Sequence, residues 1–138
     1  MRGKMPTLQE HIQSSERTGS ISFTIQERSN ECVVSRMPVQ KGILNPFGVV
    51  QAGALIWLAD VTASILVLEA HKVEASGKGF PLAIDLHTSL FGNQKDGEIK
   101  AEARFVRRGR KVSVVRTRLL GNGDKLLAEM TSTHVPAG

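Results

Sequence analysis

Asn45-Pro46-Phe47-Gly48-Val49-Val50-Gln51-Ala52-Gly53-Ala54-Leu55-Ile56-Trp57-Leu58-Ala59-Asp60 passes from a turn-forming stretch into an apolar helix. Asp60 is the only charged residue between Val49 and Leu68. Asn, Pro and Gly together mark a loop that delivers the chain to the helix, which the pattern extends to about Val73. Desolvating a lone carboxylate costs several kcal/mol unless something compensates it. Asp60 is therefore either satisfied by nearby donors such as Thr62 or Ser64, or used in chemistry, since perturbed carboxylates cluster at sites.

A run of this length also raises a bilayer-spanning reading, because about 20 apolar residues cross a membrane. Asp60 argues against it, adding about 2.5 to 3.5 kcal/mol at the centre of a span, and Gln51, Thr62 and Ser64 dilute the run further. An apolar helix in a folded domain is a core helix wrapped by other elements.

The flanking segments read as half-buried strands. Ile21-Ser22-Phe23-Thr24-Ile25 alternates, and Cys32 to Met37 follows after Arg28-Ser29-Asn30, which makes a hairpin ended by Pro38. Downstream of Gly77-Lys78-Gly79, extended runs cover Phe80 to Leu90, Glu98 to Arg107, Lys111 to Leu120 and Lys125 to Val135. Turns rich in Gly, Asn and Asp separate them. Before all of these, Leu8 and Ile12 sit four residues apart in a short amphipathic helix from Thr7 to Arg17, expected to lie on the rim of the fold. The order predicts an α+β architecture in which a curled antiparallel sheet wraps one long central helix, as a single domain over 1–138 with an N-terminal helical segment at 1–19. Open sheet edges favour pairing with a second copy through an edge strand.

Composition narrows the chemistry. The 138 residues carry 41% hydrophobic side chains, only 4% aromatics and no Tyr, so base-stacking platforms are not expected. The formal net charge of +5 favours an anionic partner. Cys32 is the single cysteine, which rules out an intrachain disulfide and the common Cys-based zinc sites; it reads as an inert, buried strand thiol. His11, His71, His87 and His134 lack the spacing of a metal site, so no metal is expected. His87 alternates with Asp85 and reads as a packing or surface residue. Ser89 and Ser113 lack a nucleophile-elbow context. Arg2 and Lys4 are not followed by an apolar run, so the N-terminus does not read as a secretory signal and a cytoplasmic protein is expected.

The segment Asn45 to Ala63, with Ile84-Asp85-Leu86, Gly97-Glu98-Ile99 and Val106-Arg107-Arg108-Gly109-Arg110, resembles the hotdog-fold acyl-CoA thioesterases of the phenylacetate-degradation (PaaI-like) type, over about residues 20 to 135. That resemblance implies hydrolysis of a small- or medium-chain acyl or aryl thioester of coenzyme A, with CoA as part of the substrate and no separate cofactor. It also implies a homotetramer built as a dimer of dimers, with no nucleic-acid or membrane partner.

The resemblance gives Asp60 the carboxylate role, as general base or nucleophile, and Asn45 a role in holding the thioester oxygen or orienting the loop. Two departures stand out. Where the family usually has His-Gly-Gly, this chain has Gln51-Ala52-Gly53, and Ala83 stands where a Ser or Thr often orients water. The N–H groups near Ala52 and Gly53, at a helix N-terminus, suit an oxygen that becomes negative in a transition state. Gln51 hydrogen-bonds but does not titrate as His does. Arg107, Arg108, Arg110 and Lys111 form the densest positive cluster, which reads as a solvated hairpin tip or, by resemblance, as contacts to the CoA phosphates.

Eight residues, roughly 12 Å of helix, separate Ala52 from Asp60, so one subunit's donor and carboxylate do not meet on one carbonyl. The family arrangement joins them across an antiparallel pair of helices in a dimer. A non-catalytic acyl-CoA-binding or sensing domain is the rival reading, favoured by Gln51, Ala52 and Ala83; a hotdog dehydratase is weakened by the absent histidine. Trp57 and Phe47 read as core residues or as the border of an acyl tunnel.

Overall fold

Six antiparallel strands form one sheet in the order β1-β2-β4-β5-β6-β3, and one long helix lies across it. The computed structural model describes residues 5, 7–13 and 18–138. The strands are β1 (Thr24–Arg28), β2 (Cys32–Pro38), β3 (Pro81–Leu90), β4 (Glu98–Arg107), β5 (Ser113–Leu120) and β6 (Leu126–Pro136). The helices are α1 (Leu8–Gln13) and the central α2 (Ala52–Ala70). This is the expected α+β layer fold.

Inward side chains at alternate positions of the central strands, such as Met37, Ile99, Leu119 and Met130, pack against the Leu55, Leu58, Ala63 and Leu66 side of α2. The 19 residues of α2 are long and apolar enough to cross a bilayer, yet eight of them are buried within the chain's own core. The sheet does not cover α2 all round, as the uniform hydrophobicity suggested. Ala54, Leu55, Leu58, Ala59, Thr62, Ala63, Leu66 and Val67 form the buried stripe, while Trp57, Asp60, Val61, Ser64 and Leu68 lie on a half-exposed stripe. The second stripe adjoins β3, an edge strand exposed from Leu82 to His87, where Ile84 is 61% and Leu82 47% exposed.

Three of the expected boundaries are displaced in ways the hydrogen bonding or backbone explains. The first strand begins at Thr24 rather than Ile21 and continues to Arg28, because Ser29 closes the hairpin: its Oγ accepts from the N–H groups of Glu31 and Cys32. Helix α2 stops at Ala70 instead of Val73, because His71 turns into extended backbone as its C-cap. Strand β5 starts at Ser113, since Lys111 and Val112 belong to a turn in which the Ser113 hydroxyl donates to Gly109 O. At the N-terminus, Thr7 and Glu10 form a reciprocal capping box on α1, whose expected continuation to Arg17 lies outside the described residues, as do the side chains of His11 and Ile12. Leu8 is exposed and does not pack on the rim.

Candidate functional site

The loop before α2 is built by Asn45. Its Oδ1 accepts from the N–H groups of Phe47 (2.9 Å) and Val49 (3.2 Å), and Gly48 N donates to Asn45 O. Gly48 has φ +82°, a left-handed conformation that favours glycine. The Asn45 oxygen thus orients the loop, which is the turn role. Phe47 is 63% exposed, so it is not a core residue.

The loop hands the chain to Gln51, the N-cap of α2. Gln51 makes no side-chain cap; its Nε2 donates to Leu44 O at 3.1 Å, and its backbone N–H is taken by Ile43 O. Among the described residues, the N–H groups of Ala52 and Gly53 have no acceptor, and both residues are exposed. They stand at the positive end of the helix dipole, beside a cleft of about 300 Å³ lined by Gln51, Gly53, Ala54, Trp57 and the irregular segment Gly19–Ile21. Trp57 is half-buried and meets Phe23 edge-on at 5.6 Å, so it serves both the core and the cleft wall. A Cβ on Gly53 would meet nothing within 4 Å, so the chain's own packing does not require a glycine there.

Asp60 is half-exposed, which corrects the premise of a carboxylate sealed in an apolar core. It has no hydrogen-bond or ion-pair partner among the described residues. Thr62, a proposed helper, faces the other way: its buried hydroxyl donates to Leu58 O at 2.6 Å and pairs with the Ser35 hydroxyl of β2. Ser64 shares the Asp60 stripe, one helical turn on.

Two histidines join the picture that spacing alone did not single out. His134 is buried on the inner face of β6, between Ser113 of β5 and Ala83 of β3. Its Nε2 meets Ser132 Oγ at 2.8 Å, while Nδ1 has no partner among the described residues. Burial pushes this imidazole below its ordinary value, and the Asp60 carboxylate offsets part of that. The alternation Ala128, Met130, Ser132, His134 carried that signal in the sequence. His71, by contrast, left none. Asp85 and His87 pair with Thr133 and Thr131 on the outer face of the sheet, away from Asp60. Cys32 is buried, and desolvation raises its thiol more than Arg104 lowers it, as fits an inert residue.

The basic turn between β4 and β5 lies at the opposite end of α2 from Gln51, because His71 Nε2 reaches Gly109 O at 2.8 Å. Arg107, Arg110 and Lys111 are exposed. Arg108 is engaged: it donates to Asn30 O and lies 4.8 Å over the Phe105 ring. The four cations are therefore near one another but not equivalent. Eleven residues of chain, roughly 16 Å at helical rise, separate Asp60 from His71.

No protein-family model and no curated protein sequence matches the chain. Solved structures do. A thioesterase from Staphylococcus aureus aligns with a TM-score of 0.79 and 24% identity, over 84% of this chain and 93% of that one. A thioesterase from Haemophilus influenzae gives 0.78 and 20% identity, over 98% and 93%. A hypothetical thioesterase from Streptococcus pneumoniae, crystallised with coenzyme A, gives 0.75 and 19% identity, over 85% and 87%. The chain has the hotdog fold that these thioesterases share, as the motif resemblance implied.

Proposed function

We propose that the protein is an acyl-CoA thioesterase whose reacting groups come from two subunits, the dimer that makes the site being the unit from which a tetramer is built. The observation that carries this reading is the pairing of two N–H groups at the α2 N-terminus with a carboxylate on the half-exposed stripe of the same helix, none of them with a hydrogen-bond partner among the described residues. The N–H groups of Ala52 and Gly53 stabilise the oxyanion formed as the thioester carbonyl is attacked, and Asp60 of the other subunit activates water or attacks the carbon. Roughly 12 Å of helix keeps one subunit's two elements apart, and an antiparallel pair of α2 helices brings opposite ends together. The exposed edge strand β3, whose Leu86 lies on the inner face opposite Ser132, supplies the edge for that pairing.

Coenzyme A as the carrier is supported by the basic turn. Seven cations and no acid occur from Arg104 through Arg118, and the turn stands roughly 16 Å along α2 from Asp60, a separation suited to a long pantetheine arm. If Arg107, Arg108 and Arg110 hold the phosphates, replacing all three with Ala raises KM for acyl-CoA about 10- to 100-fold with little change in turnover, since such contacts act equally on ground and transition states. Arg108→Ala alone has the smallest share of that effect, because Asn30 already holds this side chain. The matching acyl-pantetheine is hydrolysed as by the parent. An equal loss on both substrates assigns the cluster to the structure of the turn instead.

The test of the activity is direct: a panel of short, medium and aryl acyl-CoAs is incubated with the protein and a thiol-reactive dye, and release of CoA thiol is followed. Turnover on at least one class supports hydrolysis. Tight binding across the panel without thiol release would favour the acyl-CoA-binding reading, for which Gln51 tied to Leu44 and the hydroxyl-free Ala83 are the specific observations.

A further inference from the structure

We infer that His71 is the positioning residue that sets the basic turn at a fixed distance from the reacting carboxylate; this rests on the proposed acyl-CoA site and names how its phosphate end is held. Both ring nitrogens of His71 face main-chain carbonyls: Nδ1 lies 3.0 Å from Val67 O in the last turn of α2, and Nε2 lies 2.8 Å from Gly109 O in the β4–β5 turn. Carbonyls only accept, so the ring must donate. A neutral imidazole donates to one of them and the imidazolium to both, and the bond to Gly109 persists in the imidazolium and in the Nε2–H tautomer alike. The partial negative charge at the helix C-terminus favours a donor in this position.

The turn is built to accept this tether. Gly109 O also takes the Ser113 hydroxyl at 3.2 Å, and Gly109 N–H is directed at the same Ser113 oxygen at 3.3 Å. A Cβ on Gly109 would come within 2.1 Å of Val112 O, so the backbone closes tightly on itself at the residue whose carbonyl His71 meets. Gly109 is flanked by Arg107 and Arg108 on one side and Arg110 and Lys111 on the other, so the place of its backbone sets where those four cations start. His71 ties that backbone to the C-terminus of the helix that carries Asp60. Main-chain geometry at Gly109 thus fixes where the flanking guanidinium groups stand relative to the carboxylate, and with it the length of arm that fits between them.

The test compares His71→Phe and His71→Ala, which delete both donors with and without a ring, with His71→Gln, which keeps an N–H on a side chain of similar reach. Expected in the donor deletions is a rise of about tenfold in KM for acyl-CoA, the size of one lost hydrogen bond, with kcat near parental and acyl-pantetheine hydrolysed as before. His71→Gln recovers most of the loss. The Arg107/Arg108/Arg110 triple replacement is run alongside. If the triple variant discriminates between the two substrates and the His71 variants do not, the inference about His71 is overturned and the phosphate site stands. If the triple variant shows no discrimination, the site reading falls and takes this inference with it. Equal losses on both substrates together with a lower Tm in the His71 variants would mean a purely structural tether and would also overturn it.

Discussion

Asp60→Asn is expected to lower turnover on acyl-CoA by at least about 100-fold while the fold and the oligomer stay intact, within the usual worth of a general acid–base group. The amide is nearly isosteric with the carboxylate but neither takes a proton nor attacks a thioester. Because Asp60 is half-exposed and has no hydrogen-bond partner among the described residues, the substitution breaks no intrachain bond, and thermal melting should be near parental. Retained activity in the folded variant rejects Asp60 as the reacting carboxylate. Collapse of the fold or of the dimer would instead assign it to structure.

Ala52→Pro is expected to cost about 10² to 10³ in turnover, the typical effect of removing one oxyanion donor. Proline deletes the N–H and nothing else that the fold uses. Ala52 is the first helical residue, where proline is favoured, and its N–H has no acceptor among the described residues. Gln51 before it is already extended, with φ −68° and ψ 143°, the region a residue before proline prefers. Stability should therefore be unchanged or slightly improved while activity falls, and circular dichroism melting beside steady-state kinetics reads both. A variant as active as the parent moves the donor role away from Ala52.

The sequence made much of the sheet legible because β4, β5 and β6 carry period-two alternation and the turns between strands carry Gly, Asn or Asp; β4 was expected from Glu98 to Arg107 and is found there. The first hairpin was harder. Every residue of β1 is exposed, so no buried face pinned its ends, and the Ser29 side chain rather than hydrophobicity placed the turn. The end of α2 was misjudged because its C-cap, His71, turns extended and packs its ring on Gly109, 38 residues away, a contact no local pattern records.

At the site, composition pointed to Asp60 through its isolation but overstated its burial, since an apolar sequence does not distinguish a stripe covered by the sheet from one left half-exposed. The same ambiguity made Thr62 look like a helper of Asp60. In the fold, two residues along a helix turn the side chain to another face, and Thr62 points to Ser35. The cations at 107–111 were visible as a cluster, whereas the engagement of Arg108 by Asn30 depends on loops 78 residues apart and was not.

Mixing subunits tests the two-subunit site most directly. Differently tagged Asp60→Asn and Ala52→Pro chains are co-expressed, the mixed species is purified through both tags, and its turnover on acyl-CoA is compared with that of each homo-oligomer. In a mixed dimer, the intact α2 N-terminus of the Asp60→Asn chain faces the intact Asp60 of the Ala52→Pro chain, so one of the two sites is whole. Turnover near half that of the parent dimer is expected from two chains that are each nearly inactive alone. Turnover no higher than that of the two inactive homo-oligomers would contradict it, because it would place the donor and the carboxylate of each site within a single chain.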